Sequence, residues 1–196
     1  MPSYKLTYFD TGHQRPNGLP LTDERLTKEE FGKIKETLPF GQLPVLTIDE
    51  ANQVIPQEVA ILKYLGRLTG LYPDDPEEAA KVDILICHVD DLYAAVVGCR
   101  TPEHPGREMV TKMWVEERIP KMLSYLDRYL ATVGTTNFSA GNSLTIADLR
   151  IYSAIIFYKS GKFEECPTDL VDKYPHIAQL RQAIESDEKL ASWKNP

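Results

Sequence analysis

Cysteine is scarce in this sequence: only Cys87, Cys99 and Cys166 occur, an odd number with no C-x-x-C spacing and no interleaved histidine pattern. Neither a disulfide framework nor a zinc site organises the chain, and the three read as free thiols. Long apolar runs are lacking as well. No stretch reaches the roughly 18 apolar residues needed to cross a bilayer, and the opening MPSYKLTYFD has none of the basic-then-apolar layout of a secretory signal. A cytoplasmic location is expected, with no membrane partner. Positive charge is in deficit, with 22 Lys and Arg against 29 Asp and Glu, a net charge of −7 and a pI near 5.2. With no basic cluster to offset this, a nucleic-acid footprint is excluded. Partners are therefore small molecules or protein. The sequence also lacks G-x-x-x-x-G-K, G-x-G-x-x-G and G-x-S-x-G, which removes phosphate-cradling loops and hydrolase elbows. The histidines, His13, His88, His104 and His176, are scattered and read as surface or core residues.

What is present is a chain of 196 residues, 42% hydrophobic and 26% charged, enough for one core or two small ones. Periodicity changes at Leu71-Tyr72-Pro73-Asp74-Asp75-Pro76, a turn-rich stretch that marks a boundary between residues 1–73 and 77–196. Before it, Tyr4 to Phe9 alternates, Leu43 to Ile48 is a short apolar run, and Gln53 to Ile55 follows a turn-like DEAN. These predict strands, the last two as a hairpin. Gln57 to Leu68 has helical spacing with Pro56 at its start, and Thr27 to Thr37 reads as a helix with Thr27 and Glu30 spaced as a capping box. The first domain is thus α/β. After the boundary, Glu77 to Val97, Gly106 to Leu130 and Thr145 to Tyr158 carry helical stripes, and shorter helices are expected over 175–192. Thr145-Ile146-Ala147-Asp148 is a second capping box, flanked by Leu144 and Leu149 as a hydrophobic staple. That box nucleates a helix and carries no chemistry.

The informative segment is Leu38-Pro39-Phe40-Gly41-Gln42-Leu43-Pro44-Val45-Leu46, where Pro44 immediately precedes an apolar strand. A proline there cannot donate to the ladder and points to a special turn, with a cis bond as one form, that leaves the preceding backbone open to a ligand. Taken together, PSYKLTYFD, KIKETLPFGQLPVL, IPQEVAILKYLGRLTGLYP and GNSLTIADL resemble the cytosolic glutathione S-transferases, most closely the sigma class. The likeness spans nearly the whole chain. It implies a thioredoxin-like N-terminal domain that binds glutathione, an all-helical C-terminal domain that completes the electrophile pocket, and a homodimer.

The resemblance also assigns residues. Tyr8 matches the tyrosine at the end of the first strand that donates a hydrogen bond to the glutathione sulfur; the other reading is a strand tyrosine that fills the core. A thiol with a pKa of about 8.5 is only a few per cent ionised at neutral pH, and each unit of lowering is worth about 1.4 kcal/mol. A hydroxyl donor in a dry site supplies stabilisation of that order. Leu43 matches the residue whose backbone pairs with the glutathione cysteine, and Pro44 matches the cis-proline that exposes it. Lys35 and Gln42 match positions at the glycyl end, and Gln57 matches the residue that holds the γ-glutamyl group at a helix start. Asp91, on one helix with Asp83 and Asp90, matches the acidic residue that reaches the partner subunit's glutathione. Without the resemblance these are a solvated lysine, a turn glutamine, a helix-start residue and a solvated helix face. Tyr152, Val97 and the Cys99 to Pro105 connection are candidates for the electrophile side.

Five features depart from the family pattern. Between Phe9 and Leu19 only nine residues are available, with two glycines, one proline and no apolar stripe, whereas a parallel crossover through a helix takes a dozen or more. The first helix is therefore expected to be missing, leaving one sheet face uncovered and apolar. The family's arginine after Tyr8 has no assignable counterpart there; Arg15 lies nearby and its role is not carried over. Phe31 stands where the sigma pattern has a tryptophan that contacts the glycyl carboxylate, keeping the packing and losing the N–H. Glu58 replaces a serine or threonine that bonds the γ-glutamyl carboxylate, and repels that group unless it turns to solvent. Cys87 occupies a position that is acidic, and helps hold a metal, in some sigma members, so no metal is expected. Two functions follow: a glutathione transferase or glutathione-dependent isomerase acting on small hydrophobic electrophiles, with glutathione as co-substrate, or the same fold kept as a non-catalytic binding or scaffold protein.

Overall fold

A computed structural model describes residues 3–9, 21–49, 53–99, 106–133, 137–163, 165–187 and 190. By internal contacts the chain divides into two compact units, the first running to Thr69 and the second spanning Gly70–Asp187.

The first unit is built on a four-stranded sheet of order β2-β1-β3-β4. Strand β1 (Tyr4–Phe9) pairs in parallel with β2 (Leu21–Leu26) and antiparallel with β3 (Val45–Ile48), which forms the expected hairpin with β4 (Gln53–Pro56). This is the thioredoxin-like topology expected. The expected loss of a helix between the first two strands concerns residues 10–20, which lie outside the described residues. Helix α1 (Lys28–Ile34) starts at the anticipated box: the Thr27 hydroxyl accepts from the Glu30 N–H at 3.2 Å, and the Thr27 N–H donates to the Glu30 carboxylate at 2.8 Å. That backbone bond is the main reason the Glu30 carboxyl is held below its ordinary pKa. A single 3-10 turn, Lys35–Thr37, ends the helix. Helix α2 (Glu58–Thr69) lays Ile61, with Tyr64 and Leu65, on the face formed by Tyr4, Leu6, Leu46, Ile48 and Ile55.

The apolar patch expected with that loss concerns the same stretch, outside the described residues. Along β2 the positions beside Leu6 and Tyr8 are Asp23 and Arg25, joined as an ion pair at 2.8 Å.

The second unit is helical. Helix α3 (Pro76–Cys99) buries Val82, Leu85, Ile86, Val89 and Leu92. The stretch read as one helix from Gly106 is α4 (Arg107–Met113), a π-helical segment (Trp114–Arg118) and α5 (Ile119–Val133). Pro120 lacks an N–H, and its ring crowds the carbonyl one turn back; the helix widens there, with the Ile119 N–H reaching the Trp114 carbonyl. Helix α6 (Ile146–Lys159) contributes Ile151, Ile155 and Tyr158 to the core, and α7 (Pro175–Ser186) contributes Ile177 and Ile184. Asp127 of α5 caps α7, accepting the His176 and Ile177 N–H groups at 2.7 and 3.0 Å.

Candidate active site

Tyr8 lies at the C-terminal end of β1, half-buried, directly across from Arg25 in the β1–β2 register. The Arg25 guanidinium carbon is 6.0 Å from the Tyr8 ring centroid, and one of its Nη groups donates to the Phe9 carbonyl at 3.2 Å. Phe9 packs tilted on Tyr8, with centroids 6.0 Å apart, and edge-on against Phe31 of α1 at 5.0 Å. Phe31 thus packs on the last residue of β1. Arg25 was not anticipated: LTDERL has no periodicity that marks a strand, and only the register reveals that residue 25 faces residue 8.

The turn ahead of β3 joins the rest of this group. The Leu43–Pro44 peptide is cis, the form the proline allowed for, and neither backbone group of Leu43 bonds to a described residue. Gly41 has φ +59, and a Cβ there would meet the Cγ and Cε of Lys35 at 3.6 Å. The lysine stem therefore lies along Gly41 and beside Gln42. Lys35 and Gln42 are exposed, and Lys35 enters no ion pair among the described residues.

Two registers converge on Pro44. Thr7 pairs with Val45 and Val45 pairs with Pro56, so one step further along each ladder sets Pro44 between Tyr8 and Gln57. Gln57 carries φ +74, a left-handed conformation that costs a non-glycine residue about 1 kcal/mol or more. Its carbonyl receives the first bond of α2, from the Ile61 N–H at 3.0 Å. Glu58 follows as the first residue of α2 and is exposed, where a carboxylate suits the positive end of the helix.

The second unit holds the remaining candidates. Asp83 accepts from the Tyr72 hydroxyl at 3.0 Å and Asp90 pairs with Arg150 at 2.6 Å, whereas Asp91 is exposed with no partner among the described residues. It shares an exposed row of α3 with Ile84 and Cys87. Tyr152 is 7% exposed; burial raises its pKa, and Glu185 raises it further against the opposing Arg181. Its hydroxyl is thus engaged with α7. Residues 100–105 of the Cys99 to Pro105 connection, together with Arg15, His13 and His104, lie outside the described residues.

A tyrosine, an open backbone turn and a strained helix start on one thioredoxin-like sheet, followed by a helical unit, can be compared with known proteins. Residues 90–196 match the glutathione S-transferase C-terminal domain. Over 98% of its length the chain is 30% identical to hematopoietic prostaglandin D synthase of Gallus gallus, covering 96% of that protein. The chain belongs to the glutathione S-transferase family. Glutathione S-transferase 1 of Ascaris suum is 35% identical over 82% of each chain. Among solved structures, prostaglandin synthase D of Nilaparvata lugens superposes with a TM-score of 0.84 at 26% identity, over 100% of this chain and 99% of that one. Transferase family membership thus rests on both halves of the molecule.

Proposed function

We propose that this protein is a sigma-class-like, cytoplasmic glutathione transferase that conjugates small hydrophobic electrophiles, or isomerises one such as a prostaglandin endoperoxide. The observation that carries this reading is the open Leu43–Pro44 backbone, set by two strand registers between Tyr8 and Gln57. Leu43 offers one N–H and one C=O to the glutathione cysteine, as an added strand would. The exposed Lys35 ammonium suits the glycyl carboxylate, with Gln42 next in the turn. Gln57 holds the γ-glutamyl group at the N-terminal end of α2, where Glu58 is exposed. Phe31 shapes this end of the site through Phe9 and offers no donor. Residues 1–73 serve glutathione and residues 77–196 serve the electrophile.

The chemistry is a thiol deprotonation followed by sulfur–carbon bond formation. The thiol proton passes to solvent, the Tyr8 hydroxyl donates to the thiolate, and the thiolate electron pair forms the S–C bond. A leaving group departs with its bonding pair, or a proton from water completes addition to a double bond. In the proposed homodimer Asp91 of one protomer meets the glutathione amino group bound by its partner, and the exposed row on α3 supports that arrangement.

Calorimetric titration with reduced glutathione, with light scattering alongside, tests the reading. A dissociation constant at or below about 1 mM, roughly −4 kcal/mol, is expected, with a mass twice 22.2 kDa. Tyr8→Phe is expected to lower turnover at least about tenfold while leaving glutathione affinity nearly unchanged. Absence of heat and of retention on immobilised glutathione would leave the non-catalytic scaffold as the function of this fold.

A further inference from the structure

We propose that Arg25 is a positioning residue for Tyr8, fixing the end of β1 and making the phenol a stronger hydrogen-bond donor. This deepens the reading of Tyr8 as the thiolate donor and rests on it.

Three contacts place Arg25. Its Nε lies 2.8 Å from an Asp23 carboxylate oxygen, an Nη donates to the Phe9 carbonyl at 3.2 Å, and its guanidinium carbon is 6.0 Å from the Tyr8 ring centroid. The guanidinium has a rigid fork of donors. One prong here holds the last residue of β1, and the same group rests within cation–π reach of the residue before it. Since Tyr8 and Arg25 are register partners, their side chains leave the sheet on the same face. Arg25 is about three-quarters buried, with 24% of its side chain exposed, so its charge is less screened than a surface charge.

A cation beside a phenol favours the phenolate, and an anion beside it opposes ionisation. On this face of β1 and β2 the charged side chains among the described residues are Arg25 and Asp23. Lys5 and Glu24 leave the opposite face and pair with each other at 3.4 Å, and Glu24 also accepts from Thr7 at 2.7 Å. Residues of β3 and β4 on the Tyr8 face, Leu46, Ile48, Gln53 and Ile55, carry no charge. Helix α2 lays Ile61, Tyr64 and Leu65 on it. Arg25 and Asp23 therefore act on Tyr8 with opposite signs. A more acidic hydroxyl donates a stronger bond to a thiolate.

The test uses the whole protein as Arg25→Met, Arg25→Lys and Asp23→Asn, each with and without Tyr8→Phe. Ultraviolet difference titration of each pair isolates Tyr8 from the other nine of the ten tyrosines, without glutathione present. Arg25→Met is expected to raise the Tyr8 titration by about one pH unit, Arg25→Lys to restore most of that shift, and Asp23→Asn to lower it. A purely structural role predicts no such opposition of signs. The acid limb of the conjugation pH profile should move the same way in each variant, with the KM for glutathione unchanged. Identical Tyr8 titration in all three overturns the proposal, and so does a shift of the same sign in Arg25→Met and Asp23→Asn. Should Arg25→Met fail to fold, Asp23→Asn decides it: a lowered Tyr8 titration is expected, and an unchanged or raised one overturns the proposal. If the Tyr8 titrations move as expected but bound glutathione shows no thiolate absorbance in the unmutated protein, the role of Tyr8 in catalysis fails and its coupling to Arg25 stands.

Discussion

Gln57 combines strain and position in a single residue. It is the non-glycine residue with positive φ among those described, and it stands one ladder step from Pro44. Strain of this kind persists where surrounding structure enforces it, and it points toward function. Glycine adopts φ +74 freely, so Gln57→Gly should relieve the backbone while removing the amide. Stability measured by urea unfolding is expected to rise by about 1 kcal/mol, while glutathione affinity falls. If affinity held, the side chain would have no part in the γ-glutamyl pocket. The sequence IPQEV gives no hint of the left-handed turn, because the conformation is imposed by β4 ending as α2 begins. The family likeness located the residue, and the structure adds what holding it there costs.

Among the elements, those with local causes were legible. Both capping boxes formed where Thr27–Glu30 and Thr145–Asp148 stand in sequence, since a cap needs only neighbours. The second box reaches further than its four residues. Asp148 has no exposed surface, and its carboxylate accepts from the Thr145 N–H at 2.7 Å, the Thr145 hydroxyl at 3.0 Å and the Ser139 N–H at 2.6 Å. It thus ties the segment before α6 to the helix start. Asp148→Ala leaves these donors buried without a partner, which should cost about 3 kcal/mol. The expected result is a lower urea midpoint with an unchanged slope and unchanged turnover per folded molecule. A drop in turnover at full folding would give the box a chemical role that its geometry does not. Strand β2 was not legible from periodicity. Its side chains Asp23, Glu24 and Arg25 look like a solvated turn, and they become a strand only because β1 is already there to pair with. The π-helical segment was likewise hidden, although Pro120 was its signal.

For the whole molecule, the sequence split into a mixed and a helical half because strand alternation and helical stripes are local patterns. The structure places each half around its own core, with contacts dividing the chain at Thr69 and Gly70. What no local pattern could supply is the convergence of β1, the turn ahead of β3, and α2. That comes from non-local pairing, in which Thr7 meets Val45 and Val45 meets Pro56. The proposed added-strand contact at Leu43 is made by backbone in that convergence, so side-chain change elsewhere leaves it in place. Hydrogen exchange with and without reduced glutathione can read this directly. At short labelling times, when exchange proceeds through local opening, protection should appear at the Leu43 amide and in the first turn of α2. The amides of α6 should be unaffected, because Ile151, Ile155 and Tyr158 are buried in the other core. Protection confined to α6, with Leu43 unchanged, would move the ligand out of the first unit and remove the added-strand contact from the mechanism.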